Sequence, residues 1–296
     1  MNFKVTTKDL IHLLFALIVI VLIFGLFSLA ACGSHKADIT GTDLQKVEAR
    51  AFVYRELINT DKESVIDARC DGLTFRSLGV YAGIKYPLLK QEYKSGQWHR
   101  DYKPCFSVGD SRSEISRDGF IMLFLALYNA KDLAAMNRIK AYGIKHNWIM
   151  GEGPKEYTDI LILTPVLYEM IDHLSFNLAG NQEEHKSEDS LMKLDTFRGN
   201  LLAMYIWLRG LMNGEINTAE AIALEQLYNA NKNNPIYSAL NFKFLGGGDQ
   251  SHTIELLEDK EVFPQEKLPG RVESFNWGDA PGSILFLVTL KILKHK

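Results

Sequence analysis

In "SEISRDGFIMLFLALYNA", residues 113–130, a charged stretch runs directly into an apolar one, and Asp118 stands at the junction. A carboxylate where a helix begins and a loop ends has the type and the place of a general acid or base, which must come within hydrogen-bond reach of the proton it moves. It has equally the place of an ordinary first-turn acid, stabilised by the positive end of the helix dipole. Arg117, together with Arg112, has the fork geometry to hold a carboxylate or sulfate in bidentate fashion; solvation at the surface is the other fate open to them. A second cluster is "GGGDQSHTIELLED", where three glycines let the backbone approach a ligand, Asp249 supplies an acid and His252 can titrate near neutral pH. Gly-Asp recurs at 109–110, 248–249 and 278–279, so Asp279 joins the set, either as a further acid or as an N-cap following a flexible glycine. Trp148 and Trp277 fall in turn-rich segments, where a ring face can stack on a sugar. Trp207, inside "LLAMYIWLRGL", reads as core.

The elements that must position these residues are helices. "TDLQKVEARAFVYRELIN" puts Leu44, Val47, Ala51, Val53 or Tyr54, Leu57 and Ile58 on one stripe, with Thr42 or Asp43 as cap. A less regular helix follows between residues 70 and 90, then a long polar loop over 91–115 punctuated by Gly96, Pro104 and Gly109. Ser116 has the chemistry of an N-cap for the apolar helix behind it, whose residues 120–127 should be buried on most sides. "KDLAAMNRIKAYGIKHN" follows almost at once as an amphipathic helix, and so short a join makes the two antiparallel neighbours. "WIMGEGPKEY" reads as a turn-rich break. Residues 158–178, started or kinked at Pro165, and 189–213 read as two further long helices, and shorter ones follow near 218–230, after Pro235, near 250–258 and over 281–294. No strand alternation is convincing and no fixed-period repeat is visible, so the fold class is all-α, layered helical hairpins without a solenoid.

Residues 1–31 stand apart from that domain. Lys4 and Lys8 form a basic start, residues 10–29 are almost unbroken apolar sequence, and small residues end the stretch at Cys32. "LAAC" at 29–32 resembles the lipobox of bacterial lipoproteins. The resemblance implies that residues 1–31 are a lipoprotein signal peptide and that Cys32 is lipidated as the first residue of the mature chain. An uncleaved apolar anchor is the alternative, since about 20 apolar residues can span a bilayer. Gly33 replaces the aspartate that retains such lipoproteins at the inner membrane in enterobacteria. The expected address is therefore the periplasmic face of the outer membrane, with the lipid bilayer as partner. Residues 32–41 read as a tether and 42–296 as a single helical domain.

The signal carries Lys4, Lys8 and Asp9, net +1, so its removal moves the formal charge from −3 to −4. No basic block remains, which argues against a nucleic-acid partner. Of the three cysteines, Cys70 and Cys105 are left once Cys32 is lipidated, and in an oxidising compartment they read as a disulfide contributing about 3–4 kcal/mol in the chain-entropy model. Their spacing matches no zinc motif, and neither a P-loop, a dinucleotide fingerprint nor a nucleophile elbow occurs, so no metal and no cofactor is expected.

"SRD" opening a buried helix, "CDGLTF" before it, "NWIMGEGP" after it and "FNWGDAPGS" before the last helix resemble the α/α-toroid carbohydrate-active enzymes, such as unsaturated glucuronyl hydrolases and alginate-type lyases. That resemblance implies an incomplete toroid, because ten helices do not close the ring that twelve do. It implies a glycoside hydrolase or polysaccharide lyase acting on a glycan or acidic polysaccharide. Asp118, Asp249 and His252 would be its catalytic set, and Arg112, Arg117, Trp148, Trp277 and Asp279 would bind substrate. The alternative reading is a non-catalytic envelope scaffold or binding lipoprotein, whose charges cap and solvate its helices.

Overall fold

A computed structural model describes residues 41–62, 64–66, 71–102, 115–147, 149–152, 160–162, 196–247, 250–278 and 280–295. The chain divides into two units, Met1–Asp38 and Ile39–Lys296, and every described residue belongs to the second. Among the described residues there are nine α-helices: α1 (Gly41–Thr60), α2 (Gly72–Tyr81), α3 (Arg117–Ala130), α4 (Leu133–Lys145), α5 (Thr196–Asn213), α6 (Thr218–Ala230), α7 (Pro235–Leu245), α8 (Gln250–Glu258) and α9 (Gly282–Lys294). The fold class is all-α.

The helices form where capping chemistry and apolar spacing agree. Ser116 caps α3 by accepting from the Gly119 amide at 3.2 Å, and α3 ends at Lys131, whose φ of 55° is the left-handed stop. Asp132 then caps α4 by accepting from the Ala135 amide, so two residues both end one helix and start the next. Asn217 and Glu220 form a reciprocal capping box on α6, and Asn234 with Pro235 starts α7. In α1, Val47, Ala51, Tyr54 and Ile58 are fully buried along one stripe. Arg50 on the same helix is buried too, and its guanidinium donates to the carbonyls of Leu257 and Glu258, capping the C-terminal end of α8 across the fold.

The apolar α9 is the hub of the layers. Residues 282–290 are all buried, and α1, α2 and α7 pack against it. Residues 120–127 of α3 are buried throughout, against α2 on one side and α5 on another. Trp207 is core, its indole N–H donating to the Tyr81 hydroxyl at 2.8 Å.

Two short antiparallel hairpins depart from the all-helical reading. In the first, β1 (Glu92–Lys94) pairs with β2 (Gln97–Trp98) around Gly96, inside the segment expected to be loop. Gly96 has φ 78°, and a Cβ there would strike the Arg138 carbonyl, so the turn needs glycine. In the second, β3 (Ile149–Glu152) pairs with β4 (Ile160–Ile162). The "WIMGE" segment is thus partly strand, and the helix expected over 158–178 does not begin there. Two β-branched residues in three favour the extended pairing at 160–162. The rest of that expected helix, and the toroidal closure that would involve it, lie outside the described residues. Among the described residues no helix is long and apolar enough to cross a membrane; the apolar run over 10–29 is outside them.

Candidate functional site

The N-terminal half of α2 carries two buried polar side chains, Thr74 and Arg76, which reach Asp118 and the exit of the first hairpin. "GLTFRSLGVY" is an apolar segment with one threonine and one arginine, and a buried arginine must find a carboxylate. Arg76 finds Asp101, at 2.6 Å, with its side chain only 4% exposed. Its guanidinium lies 3.7 Å from the centre of the Tyr102 ring, and the Asp101 carboxylate also accepts from the Tyr102 amide at 2.7 Å. One turn earlier, Asp71 pairs with Arg100 instead of capping α2, while the Leu73 amide donates to the Arg100 carbonyl at 2.6 Å. Gly72 makes room for this: a Cβ there would meet the Arg76 guanidinium and lie 2.9 Å from the Asp101 carboxyl.

Asp118 belongs to the other side of the same helix. Its carboxylate is buried and accepts from the Thr74 hydroxyl at 2.9 Å. Thr74 and Arg76 are two residues apart, hence about 200° around the helix, so the Asp118 contact and the Arg76–Asp101 pair flank α2 on opposite sides. Asp118 thereby ties the first turn of α3 to the first turn of α2. It is a short-range cap by position and a long-range strut by contact, and this answers what a charge is for at the head of so apolar a helix.

Of the remaining sequence-derived residues, His252 and Trp277 have described side chains. His252 lies on α8, where one ring nitrogen contacts the Lys232 carbonyl at 3.1 Å and the other lies 3.8 Å from Glu255. Among the described residues no hydrogen bond or ion pair joins His252 to Asp118. Trp277 is 3% exposed, so it presents no ring face for a sugar to stack on. It is drawn in because the buried amides of Asn200 and Asn234 both donate to the Phe275 carbonyl, at 3.1 and 3.0 Å, and Asn200 also donates to that of Asn276. Asn276 takes φ 53°, turning the chain so that the next side chain points into the core. Asp249, Asp279, Arg112, Trp148, Cys32, Cys70 and Cys105, and the side chain of Arg117, lie outside the described residues. Among those that are described, no group of three or more His, Cys, Asp or Glu side chains is placed to hold a metal.

Compared with known proteins, the chain matches no family model, no curated protein and no solved structure.

Thr74, Arg76 and Asp101 are not singled out by the sequence pattern, although it holds one signal. A lone arginine within an apolar ten-residue helix marks a buried ion pair, but it does not name the partner. The partners come from the hairpin exit at residues 100–102, whose position depends on the turn at Gly96.

Proposed function

We propose that this is a lipid-anchored protein of the bacterial envelope, held at the periplasmic face of the outer membrane through Cys32, and that its helical domain works by binding rather than by proton-transfer catalysis at Asp118. The observation that carries the second half is the hydrogen bond from Thr74 to a buried Asp118. A carboxylate engaged in that way joins two helices, and it needs a neighbouring acid or an activated water to cleave a glycosidic bond. What favours the binding reading further is that Trp277 is buried and offers a sugar no ring face, and that among the described residues no hydrogen bond or ion pair joins His252 to Asp118. The first half rests on the apolar run over 10–29 closed by "LAAC". Mass spectrometry of the protein purified from membranes tests the anchor: the N-terminus should be an acylated Cys32. An intact Met1 with an unmodified Cys32 thiol would overturn it.

A further inference from the structure

A groove of about 470 Å³ opens where the C-terminal end of α9 passes α1 and the end of α2, and its charges are unbalanced. Arg55, Lys291 and Lys294 line it against a single carboxylate, Glu48, and its floor is made by Ala51, Ala82 and Leu290. With His295 neutral, the lining carries +2 (three cations less one anion). Lys294 pairs with Glu48. Lys291 has no carboxylate partner among the described residues: its ammonium donates to the Tyr81 carbonyl and to the Asn129 side-chain oxygen at 2.8 Å, and lies 4.2 Å from the centre of the Tyr81 ring. Arg55 is half-buried and, among the described residues, has neither a hydrogen bond nor an ion pair.

Lysines near a helix C-terminus are ordinary, since they offset the dipole and bond the last carbonyls. That accounts for Lys291 on the Tyr81 carbonyl and for Lys294 at the end of α9. It does not account for Arg55, which sits within α1 and is close enough to Lys291 to repel it. Burial first, and then the charge of Arg55, push the Lys291 ammonium below its ordinary value. Two like charges held together beside an open groove favour an anion between them.

We infer that this groove binds a phosphomonoester group, with Arg55 and Lys291 as its principal cations. A phosphomonoester carries a charge of about −1.5 to −2 at neutral pH, which matches the +2 of the lining better than a single carboxylate does. Arg55 supplies a planar fork of donors for two of the phosphate oxygens, and Lys291 and Lys294 act as point charges. The groove is large enough for a group of sugar size beside the phosphate, because pockets for small organic ligands begin at about 300 Å³. Glu48 opposes the ligand and competes for Lys294. This inference rests on the binding reading above and names the chemistry of its ligand.

The test is calorimetric titration of the full-length lipidated protein, in detergent, with glucose 6-phosphate, with glucose, and with a short-chain phosphatidic acid below its micelle concentration. Saturable binding of either phosphate probe, none of glucose, and weakening of about tenfold or more in Arg55→Gln are expected. Glu48→Gln should tighten binding, which a merely structural role for these residues would not produce. The tighter of the two probes tells a soluble sugar phosphate from a lipid headgroup. Arg55 has no partner among the described residues to lose, so its variant should melt with the wild type. No saturable binding of either phosphate probe, or equal binding by wild type and Arg55→Gln, overturns the groove while leaving the binding reading intact. Glycan turnover by a wild type that still binds phosphate in the groove would overturn the binding reading and leave the groove.

Discussion

Replacing Asp101 by alanine tests what the burial of the Arg76 charge costs. Arg76 would keep its place, with a side chain only 4% exposed, but would lose the carboxylate 2.6 Å away. Removing one member of a buried pair costs roughly 3–5 kcal/mol, because the remaining charge stays desolvated and loses part of its compensation. The lower end applies here: Asp101 is itself 27% exposed, so water can enter its space, and the Tyr102 ring still faces the guanidinium. The expected loss is therefore about 3 kcal/mol, and at about 2–4 °C per kcal/mol for a domain of this size the melting temperature should fall by about 6–12 °C. Asp71→Ala is the internal control. It removes one partner of Arg100, but that pair is 17% and 35% exposed, and a half-solvated pair should cost about 1 kcal/mol. Urea denaturation of both variants beside the wild type gives the comparison, with unchanged m-values showing that the native and denatured states stay comparable. Equal losses in the two variants, or a loss under about 1 kcal/mol for Asp101→Ala, would refute the view that burial of Arg76 sets the cost.

Other perturbations should follow from local geometry. Gly72→Ala forces a Cβ against the Arg76–Asp101 pair and should cost about 1–3 kcal/mol by thermal melting, more than the same change at Gly247, where the nearest backbone atom is 4.0 Å away. Tyr81→Phe leaves the buried Trp207 indole N–H without its hydroxyl acceptor and should destabilise by about 1–3 kcal/mol, read by denaturation followed through tryptophan fluorescence. Burial opposes ionisation of Glu92, but the hydrogen bonds from Arg138, the Gly96 amide and the Arg138 charge outweigh it and hold the carboxyl below its ordinary 4.5. A depressed value means stability that is present above about pH 4.5 and lost as the pH falls through the lower folded value. The stability gap between wild type and Glu92→Gln should therefore be constant near neutrality and close on acidification.

How far the sequence reveals this structure depends on how local each cause is. Ser116, Asp132 and Asn234 mark helix starts through contacts made within three residues, and the unbroken apolar run of residues 120–127 reports burial directly. The hairpin at Glu92–Trp98 reads as loop because strands of three and two residues are too short to show alternation; only Gly96 announces a turn. Ile149–Glu152 is hidden by its glycine, which reads as a breaker when its partner strand is not yet known. The role of Asp118 depends on Thr74, 44 residues away, and no spacing rule reaches that far. Trp277 misleads for a related reason. A tryptophan between turn residues reads as exposed, and only the buried Asn200 and Asn234 amides, from elsewhere in the chain, draw it inward. The groove cations Arg55 and Lys291 come from the first and last described helices and meet only once α9 is in the core.

What the Asp118 carboxylate does, as a strut between two helices or as an acid at a glycosidic bond, is the central question. Wild type, Asp118→Asn and Asp118→Ala should be compared for stability and for release of products from a library of neutral and acidic glycans. Asparagine keeps an oxygen for the Thr74 hydroxyl, so it should melt close to the wild type, whereas alanine should lose about 1–3 kcal/mol by leaving that buried hydroxyl unsatisfied. No glycan should be cleaved by any of the three. Cleavage by the wild type that disappears in Asp118→Asn at an unchanged melting temperature would contradict the strut.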